Sequence, residues 1–386
     1  MPDQRSARDH VAPPDPSLAE RSRAVATRSA ARAGADGFVP FDRFMEVALY
    51  ADGVGFYARD ASPFGPSGDF YTAAHVHPLF GQTLAERIRA VARALGAGRP
   101  FRIVEIGSGD GTLATTILEA LGPPTSVPGA EYLLVERSAS LRRASLERVE
   151  DAGRRAGIAV RLASSVGADG PFEGVVLANE VLDAQPVRRL RWTGTEWTEL
   201  GVRVVGEALV AAEAPLVSPV PGPGLPTSVE AGTILEVSPT AEGLVREVAD
   251  HLLRGSFVVL DYGMEESELL SAHPSGTLES VRRHRVVSDP LEAPGATDLS
   301  TFVNLTRIRE VARRAGLVPV LDCSQAEALG EWGFPALFDA AVRAAGSTEA
   351  EVRVRLAAKN LLFGFERFRA LEWSAGAPRT GDRTAT

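Results

Sequence analysis

Short apolar runs alternate with amphipathic stretches along most of this chain, which is the pattern of an α/β fold. Helical periodicity predicts helices at residues 79–95, 112–121, 138–157, 239–254, 305–315 and 325–346, the last with a break at Pro335. Apolar runs of strand length occupy residues 101–106, 132–135, 158–163, 174–178, 256–263, 317–323 and 365–373. We therefore expect an open, mostly parallel sheet with helices packed on it.

The regions outside that sheet have other patterns. Residues 1–35 are rich in Pro, Arg, Ala and Ser with little apolar periodicity, so we expect a disordered arm. Residues 36–99 combine helical spacing with an aromatic-rich loop and predict an N-terminal helical cap over a cleft. Residues 188–230 alternate in strand fashion and then become proline-rich, which predicts a β-meander insertion. A disordered tail is expected at residues 375–386.

Composition narrows the function classes. The 386 residues are 45% hydrophobic and 24% charged, and no stretch approaches 18 uninterrupted apolar residues, so we expect no membrane span. The formal net charge of −9 disfavours nucleic acid as a partner and is compatible with a cationic substrate. Cys323 is the single cysteine, which excludes an internal disulfide and suits a reducing cytoplasm. The oligomeric state stays open.

The segment FRIVEIGSGDGTL at residues 101–113 has the order strand, glycine turn and helix. Thr112 stands where a dinucleotide fingerprint needs its third glycine, which weakens an NAD interpretation. The spacing E-x-G-x-G-x-G instead resembles motif I of the class I S-adenosylmethionine methyltransferases. Glu136 ends the next strand, where an acid can accept hydrogen bonds from both hydroxyls of a ribose.

The sequence lacks the motifs of several other enzyme classes. The chain has no G-x-x-x-x-G-K-[ST] loop and no G-x-S-x-G nucleophile turn. His75 and His77 are two residues apart and have no third ligand at a suitable spacing, so we expect no metal site.

Seven phrases in a fixed order resemble the MidA-like S-adenosylmethionine-dependent methyltransferases. They are SGDFYT at 67–72, HPLFG at 77–81, VEIGSGDGTL at 104–113, ANEVLDAQPV at 178–187, EVSP at 236–239, DYG at 261–263 and HRVVSDPLEAPGATDL at 284–299. The resemblance covers roughly residues 36–374. It implies a class I, Rossmann-like fold with a seven-stranded, mostly parallel sheet that includes one antiparallel strand. The mitochondrial member of the family is a respiratory complex I assembly factor that methylates an arginine of a complex I subunit.

Motif placement and the resemblance together give the candidate site residues. Those expected to bind S-adenosylmethionine are Asp69, Thr72, Glu105, Gly107, Gly109, Gly111, Glu136 and Asn179. Glu180 and Asp183 follow a buried strand and are candidates for orienting the methyl acceptor or taking its proton. Their alternative role is to cap the following turn or to pair with Arg188 and Arg189. Candidates for acceptor contacts are His75, Asp261, Tyr262, His284 and Arg285, although His284 and Arg285 also fit a solvated basic run.

Departures from the family pattern leave the acceptor open. The segment 72–75 reads Thr-Ala-Ala-His and lacks the proline and acid that the family tends to carry there, and Asn304 replaces an aspartate. Ser280 and Val281 stand where the family tends to have Gly-Tyr. Arginine recognition needs carboxylates. The hypotheses are therefore a protein arginine methyltransferase, a small-molecule N- or O-methyltransferase, and a non-catalytic assembly protein that binds S-adenosylmethionine.

Overall fold

The computed structural model describes residues 16–59, 63–64, 72–96, 99–122 and 127–376. Its helices are α1 (Pro16–Ala30), α2 (Phe41–Tyr50), α3 (Ala73–Val76), α4 (Leu79–Leu95), α5 (Thr112–Leu121), α6 (Ala139–Ala156), α7 (Pro239–His251), α8 (Glu266–Ala272), α9 (Leu305–Arg314), α10 (Gln325–Glu331), α11 (Phe334–Ala344) and α12 (Thr348–Phe363). Its strands are β1 (Phe38–Pro40), β2 (Phe101–Ile106), β3 (Ala130–Val135), β4 (Ala159–Ala163), β5 (Phe172–Asn179), β6 (Arg188–Trp192), β7 (Trp197–Val205), β8 (Ala208–Pro215), β9 (Ile234–Val237), β10 (Leu252–Met264), β11 (Glu279–Arg282), β12 (Arg285–Val286), β13 (Asp298–Ser300), β14 (Val303–Asn304), β15 (Val318–Ser324) and β16 (Phe368–Ala375).

The central sheet confirms the predicted fold class. Its strand order is β15-β16-β10-β5-β2-β3-β4, with the short β14 beside β10. Neighbouring strands in the part of the sheet formed by β4, β3, β2, β5 and β10 pair in parallel. Strand β16 runs antiparallel to both β10 and β15. Because the side chains of a strand alternate between two faces, each strand supplies apolar residues to both sides of the sheet. Ile103 packs in the core with α4, α5 and α6, while Val104 packs in the core with α7 and α9.

The region expected to form a helical cap divides into two parts. Helix α4 packs on the central sheet through Phe80, Leu84 and Ile88, so it forms part of a main layer. Helix α2 packs instead in a second core with Val202 of β7. The apolar face of α4 would otherwise be exposed to water, which explains its position on the sheet.

The predicted meander is observed as β6, β7 and β8, but it is part of a larger sheet. Strand β1 from the N-terminal region pairs with β7, and β9 pairs with β6. This sheet packs against α1 and α2.

The expected disordered arm is wrong for its C-terminal half, because α1 is helical and Val25 is fully buried against the second core. A polar, arginine-rich helix with a narrow apolar stripe has little hydrophobic periodicity of its own. Residues 1–15 and most of the expected tail, 377–386, lie outside the described residues.

Residues 264–300, for which the sequence pattern predicts no helix or strand, form α8 and a three-stranded antiparallel sheet in the order β12-β11-β13. The predicted helix at 239–254 ends at His251, because the chain enters β10 at Leu252. The break predicted at Pro335 falls at Gly333, which has a left-handed φ of 99° and precedes α11. Over the parts of the chain that the structure describes, no helix is both long and apolar enough to cross a membrane.

Candidate active site

A cavity of about 1030 Å³ opens where β2, β3, β5 and β10 end. Ligands of open α/β sheets bind outside the carboxyl ends of the strands, so this is the expected position for a site. The predicted residues that line it are Thr72, His75, Glu105, Gly107, Gly109, Glu136, Asn179, Glu180, Asp183 and Tyr262. Asp69 lies outside the described residues.

The glycine turn between β2 and α5 needs its glycines for two different reasons. Gly109 has a φ of 54°, and a Cβ atom there would lie 3.1 Å from the ring of Phe64, so its lack of a side chain lets Phe64 approach the turn. Gly111 has a φ of 82°, and its Cβ would lie 2.9 Å from the carbonyl oxygen of Ser145 in α6. Gly111 therefore allows α6 to pack closely and does not line the cavity.

Glu136 follows β3 and faces the glycine turn. Its Oε2 accepts a hydrogen bond from the Gly109 amide at 3.1 Å, and its Oε1 accepts one from the Ser138 amide at 2.8 Å. Burial raises the pKa of this carboxyl although the backbone amides of Ser138 and Gly109 oppose the shift. The two bonds fix the orientation of the carboxyl beside the glycine turn, and its contact with a ribose stays a prediction.

Glu105 lies beneath the turn in β2. The hydroxyl of Tyr132 donates to its Oε2 at 2.6 Å, and the residue is buried at the base of the cavity. Burial raises the pKa of Glu105 to about 8, so the carboxyl is largely protonated at neutral pH.

His75 and Asp110 connect the N-terminal region to the glycine turn. The Nε2 atom of His75 lies 3.4 Å from Asp110 Oδ1, and its Nδ1 is 2.7 Å from the hydroxyl of Thr72. The ring of Phe64 stacks on His75 at a centroid distance of 5.5 Å. Burial alone would raise the pKa of Asp110, but hydrogen bonds from His75 and Thr112, with the charges of His75 and Arg148, hold it at about 2.

Glu180 has an unusual backbone and a well-defined side chain. Its φ of 54° is in the left-handed region, which is uncommon for a residue with a side chain and frequent at functional sites. Its Oε1 accepts hydrogen bonds from the Ala73 amide at 3.0 Å and from Asn179 Nδ2 at 3.2 Å. Burial raises the pKa of Glu180 to about 8.

Asp261 supports this turn from below and does not line the cavity. Its Oδ2 accepts from the backbone amides of Val181 at 3.1 Å, Leu182 at 2.8 Å and Asp183 at 3.4 Å, and its Oδ1 accepts from the Tyr262 amide at 3.0 Å. The predicted acceptor contact is therefore wrong for Asp261, because its oxygens face main-chain donors. Burial raises its pKa to about 7.

Asp183 lies in an aromatic part of the cavity with Asp298, the first residue of β13. The hydroxyl of Tyr57 donates to Asp298 Oδ1 at 3.0 Å, and Tyr57 stacks on Tyr50 at a centroid distance of 5.4 Å. Burial, together with the nearby charges of Asp261 and Asp298, raises the pKa of Asp183 well above its usual range.

His284 and Arg285 lie away from the cavity. They belong to the exposed hairpin between β11 and β12, where Arg283 and His284 both have left-handed φ values. The predicted acceptor contacts are therefore wrong for these two residues. The alternative pairing of Glu180 and Asp183 with nearby arginines is also not observed, because Arg188 pairs with Glu199 and Arg189 with Glu236.

Sequence reasoning missed several residues of the site. Tyr50, Tyr57 and Phe302 line the cavity and come from segments distant in the sequence. Asp298 lies in the phrase HRVVSDPLEAPGATDL, of which only His284 and Arg285 were predicted to contact the acceptor. The signal for Asp298 was thus present, but only the fold shows which residue of the phrase reaches the cavity.

The sheet order, the glycine turn and the acid after β3 define a class I methyltransferase. A family model of S-adenosyl-L-methionine-dependent methyltransferases matches residues 83–321, and the chain belongs to that family.

A Drosophila melanogaster relative named protein arginine methyltransferase NDUFAF7 homolog, mitochondrial, is 28% identical over 314 residues, covering 73% of this chain and 68% of the relative. The Mus musculus protein arginine methyltransferase NDUFAF7, mitochondrial, is 26% identical over 310 residues, covering 74% of this chain and 69% of the relative. A crystal structure of a COG1565 superfamily member from Burkholderia thailandensis bound to S-adenosyl-homocysteine has a TM-score of 0.82 and 32% identity, covering 95% of each chain.

The residues present fit S-adenosylmethionine. Ser108 Oγ and Asn179 Oδ1 are buried, and neither has a hydrogen-bond partner within the described parts of the chain. Both residues line the cavity beside the glycine turn. Because unpaired buried polar atoms are costly, a polar ligand there stabilises them. Ser164 and Ser165, which follow β4, also line the cavity.

Proposed function

We propose that this chain transfers the methyl group of S-adenosylmethionine to an arginine side chain of a protein. The observation that carries the proposal is the set of carboxylates around the acceptor part of the cavity: Glu180, Asp183 and Asp298 line it together with tyrosine rings. A guanidinium is planar and cationic, so carboxylates and aromatic faces both favour it. The names of the Drosophila and mouse relatives support the same acceptor.

S-adenosylmethionine supplies an electrophilic methyl group, so the protein has to bind the acceptor, align it and take one proton. Glu136 and the glycine turn would hold the cofactor, and Glu180 would take the proton. Because Glu180 Oε1 already accepts bonds from Ala73 and Asn179, we assign the proton to Oε2. The acceptor nitrogen would bond to the methyl carbon as the bond from that carbon to the cofactor sulfur breaks, and the N–H proton would pass to Glu180 Oε2. The products would be a methylated guanidinium and S-adenosylhomocysteine.

The raised pKa of Glu180 is consistent with this role. With a pKa of about 8, the carboxyl readily holds a proton once it has taken one. A cationic acceptor in the same cavity favours the ionised form before transfer, because opposite charges lower the pKa of a carboxyl. Asp261 keeps the turn that carries Glu180 in place through its bonds to the amides of residues 181–183.

The direct test is methyl transfer to peptides. The full chain is incubated with S-adenosylmethionine and a peptide library in which each arginine peptide has a matched lysine peptide, and product mass and S-adenosylhomocysteine are measured. We expect methylation on arginine only, and none with Gly109→Val. Turnover on lysine peptides, or only on small neutral hydroxyl compounds, would contradict an arginine acceptor.

A further inference from the structure

We infer that Asp298 and Asp183 form a carboxylate clamp that selects a cationic acceptor, with Asp298 as the specificity-determining residue. This inference rests on the proposed function, because the clamp would hold the guanidinium whose nitrogen is methylated. Asp298 lies in the seventh family phrase, HRVVSDPLEAPGATDL, but it is neither part of the glycine turn nor among the residues predicted to contact the acceptor.

The position of Asp298 fits an acceptor contact. It opens β13 in the small sheet that follows α8, so it approaches the cavity from a different element than the cofactor residues. The residue lines the cavity and is only 9% exposed. The hydroxyl of Tyr57 donates to Oδ1 at 3.0 Å, which orients the carboxyl. An oriented, buried carboxyl discriminates strongly between charged and neutral ligands because water screens it little.

Asp183 faces the same space from the turn after β5. The turn after β5 and the residue that follows β13 are held together because the Thr301 amide donates to the Asp183 carbonyl at 3.1 Å. Asp183 Oδ1 accepts from the Ala184 amide at 2.8 Å, which fixes the second carboxyl. Burial and the negative charges of Asp261 and Asp298 raise the pKa of Asp183, so this carboxyl is costly to ionise without a cation. A guanidinium between the two carboxyls relieves that repulsion and can donate to both.

The surrounding rings suit the same ligand. Tyr50 and Tyr57 stack with an interplanar angle of 18°, and the Tyr50 hydroxyl donates to the Ala184 carbonyl at 2.7 Å. Tyr262 packs edge-on against Phe302 at a centroid distance of 5.2 Å. These residues form an ordered aromatic wall next to the two carboxyls, and one planar cation, the guanidinium of Arg137, already lies over the Tyr50 ring at 4.2 Å.

The clamp predicts a loss of binding that depends on the charge of the ligand. Asp298→Asn keeps the size of the side chain and removes one charge-assisted interaction, so we expect the KM for an arginine peptide to rise by about 10- to 100-fold, with a small change in kcat. A citrulline peptide has nearly the same shape without the charge, and its affinity should stay unchanged. The affinity for S-adenosylhomocysteine should also stay unchanged, because Asp298 is not among the cofactor residues.

The experiment measures peptide and S-adenosylhomocysteine affinities calorimetrically, and KM and kcat on the arginine peptide. The matched control is Asp289→Asn, the same chemical change at an exposed position between β12 and β13 that does not line the cavity. A second variant, Tyr57→Phe, removes only the donor to Asp298 Oδ1 and should raise KM several-fold, which tests the clamp even if Asp298→Asn folds poorly.

Two results would overturn the clamp alone. The first is that Asp298→Asn has an unchanged KM for the arginine peptide while the wild type methylates arginine. The second is that Asp298→Asn loses affinity equally for the citrulline peptide, the arginine peptide and S-adenosylhomocysteine, which indicates a structural role. If the wild type methylates a neutral acceptor and no arginine peptide, the proposed function fails as well. The two failures are thus distinguishable from the wild-type measurement.

Discussion

Replacing Glu180 by glutamine tests the proton acceptor directly. Glutamine retains an oxygen that can accept from Ala73 and Asn179, so the geometry of the turn should survive, but it cannot take a proton. Loss of a general base typically costs about 10²- to 10⁴-fold in rate. The pKa of about 8 adds a pH dependence, because about one-tenth of the free enzyme has an ionised Glu180 at pH 7 and about one-hundredth at pH 6.

The assay follows kcat/KM for an arginine peptide between pH 6 and 9.5, since this parameter reports ionisations of the free enzyme. We expect the wild-type rate to rise about tenfold per pH unit below pH 8 and then level off, and we expect Glu180→Gln to be slow and to lack this rise. The control is Glu292→Gln, whose carboxylate pairs with Arg282 and does not line the cavity. A pH profile that is the same in Glu180→Gln and the wild type would refute the assignment.

Three further predictions concern the cofactor and stability. Gly109→Val should abolish binding of S-adenosylmethionine in calorimetry, because φ is 54° and its Cβ would press on Phe64; undiminished affinity would refute the placement of the glycine turn. Glu136→Ala should weaken the same binding roughly 10- to 100-fold, and equal affinity would exclude a ribose contact. Glu105→Gln should flatten the pH dependence of stability. In the wild type, the pKa of Glu105 is about 8 in the folded protein and lower in the unfolded chain. The free energy of unfolding therefore falls by about 1.4 kcal/mol per pH unit between about pH 4.5 and 8. Urea titrations at several pH values measure this slope, and an unchanged slope in the variant would contradict a protonated Glu105.

The parts of the fold that were predicted from the sequence have strong periodicity of their own. The helix at 79–95 and the strand at 101–106 are observed with those bounds, because their apolar positions alone determine the buried face. Helix α1 was not predicted, because its burial depends on a core supplied by α2 and β7. The short strands β11 to β13 carry too few residues to show a period, and they form only by pairing with each other.

The site residues likewise include some that a local sequence pattern predicts and others that only the fold brings together. The glycine turn and Glu136 are local motifs, so their position in the cavity was predictable. Asp261 is an acid at the carboxyl end of a central strand, which made it a candidate for contacting the acceptor. Its role depends on the atoms that surround it, and the structure shows that these are backbone amides. The approach of Asp298 to Asp183 depends on the packing of β13 against the turn after β5, which no local pattern encodes.

The departures from the family pattern have a structural explanation that bears on the acceptor. Asn304 caps α9 by accepting from the Arg307 amide at 3.1 Å and does not line the cavity, so the missing aspartate there removes no acceptor contact. His75 replaces the other missing acid and pairs with Asp110 at the glycine turn. The carboxylates that face the acceptor part of the cavity come instead from the turn after β5 and from β13. A cationic acceptor is therefore compatible with both substitutions, and the electrostatic selection rests on Asp183 and Asp298.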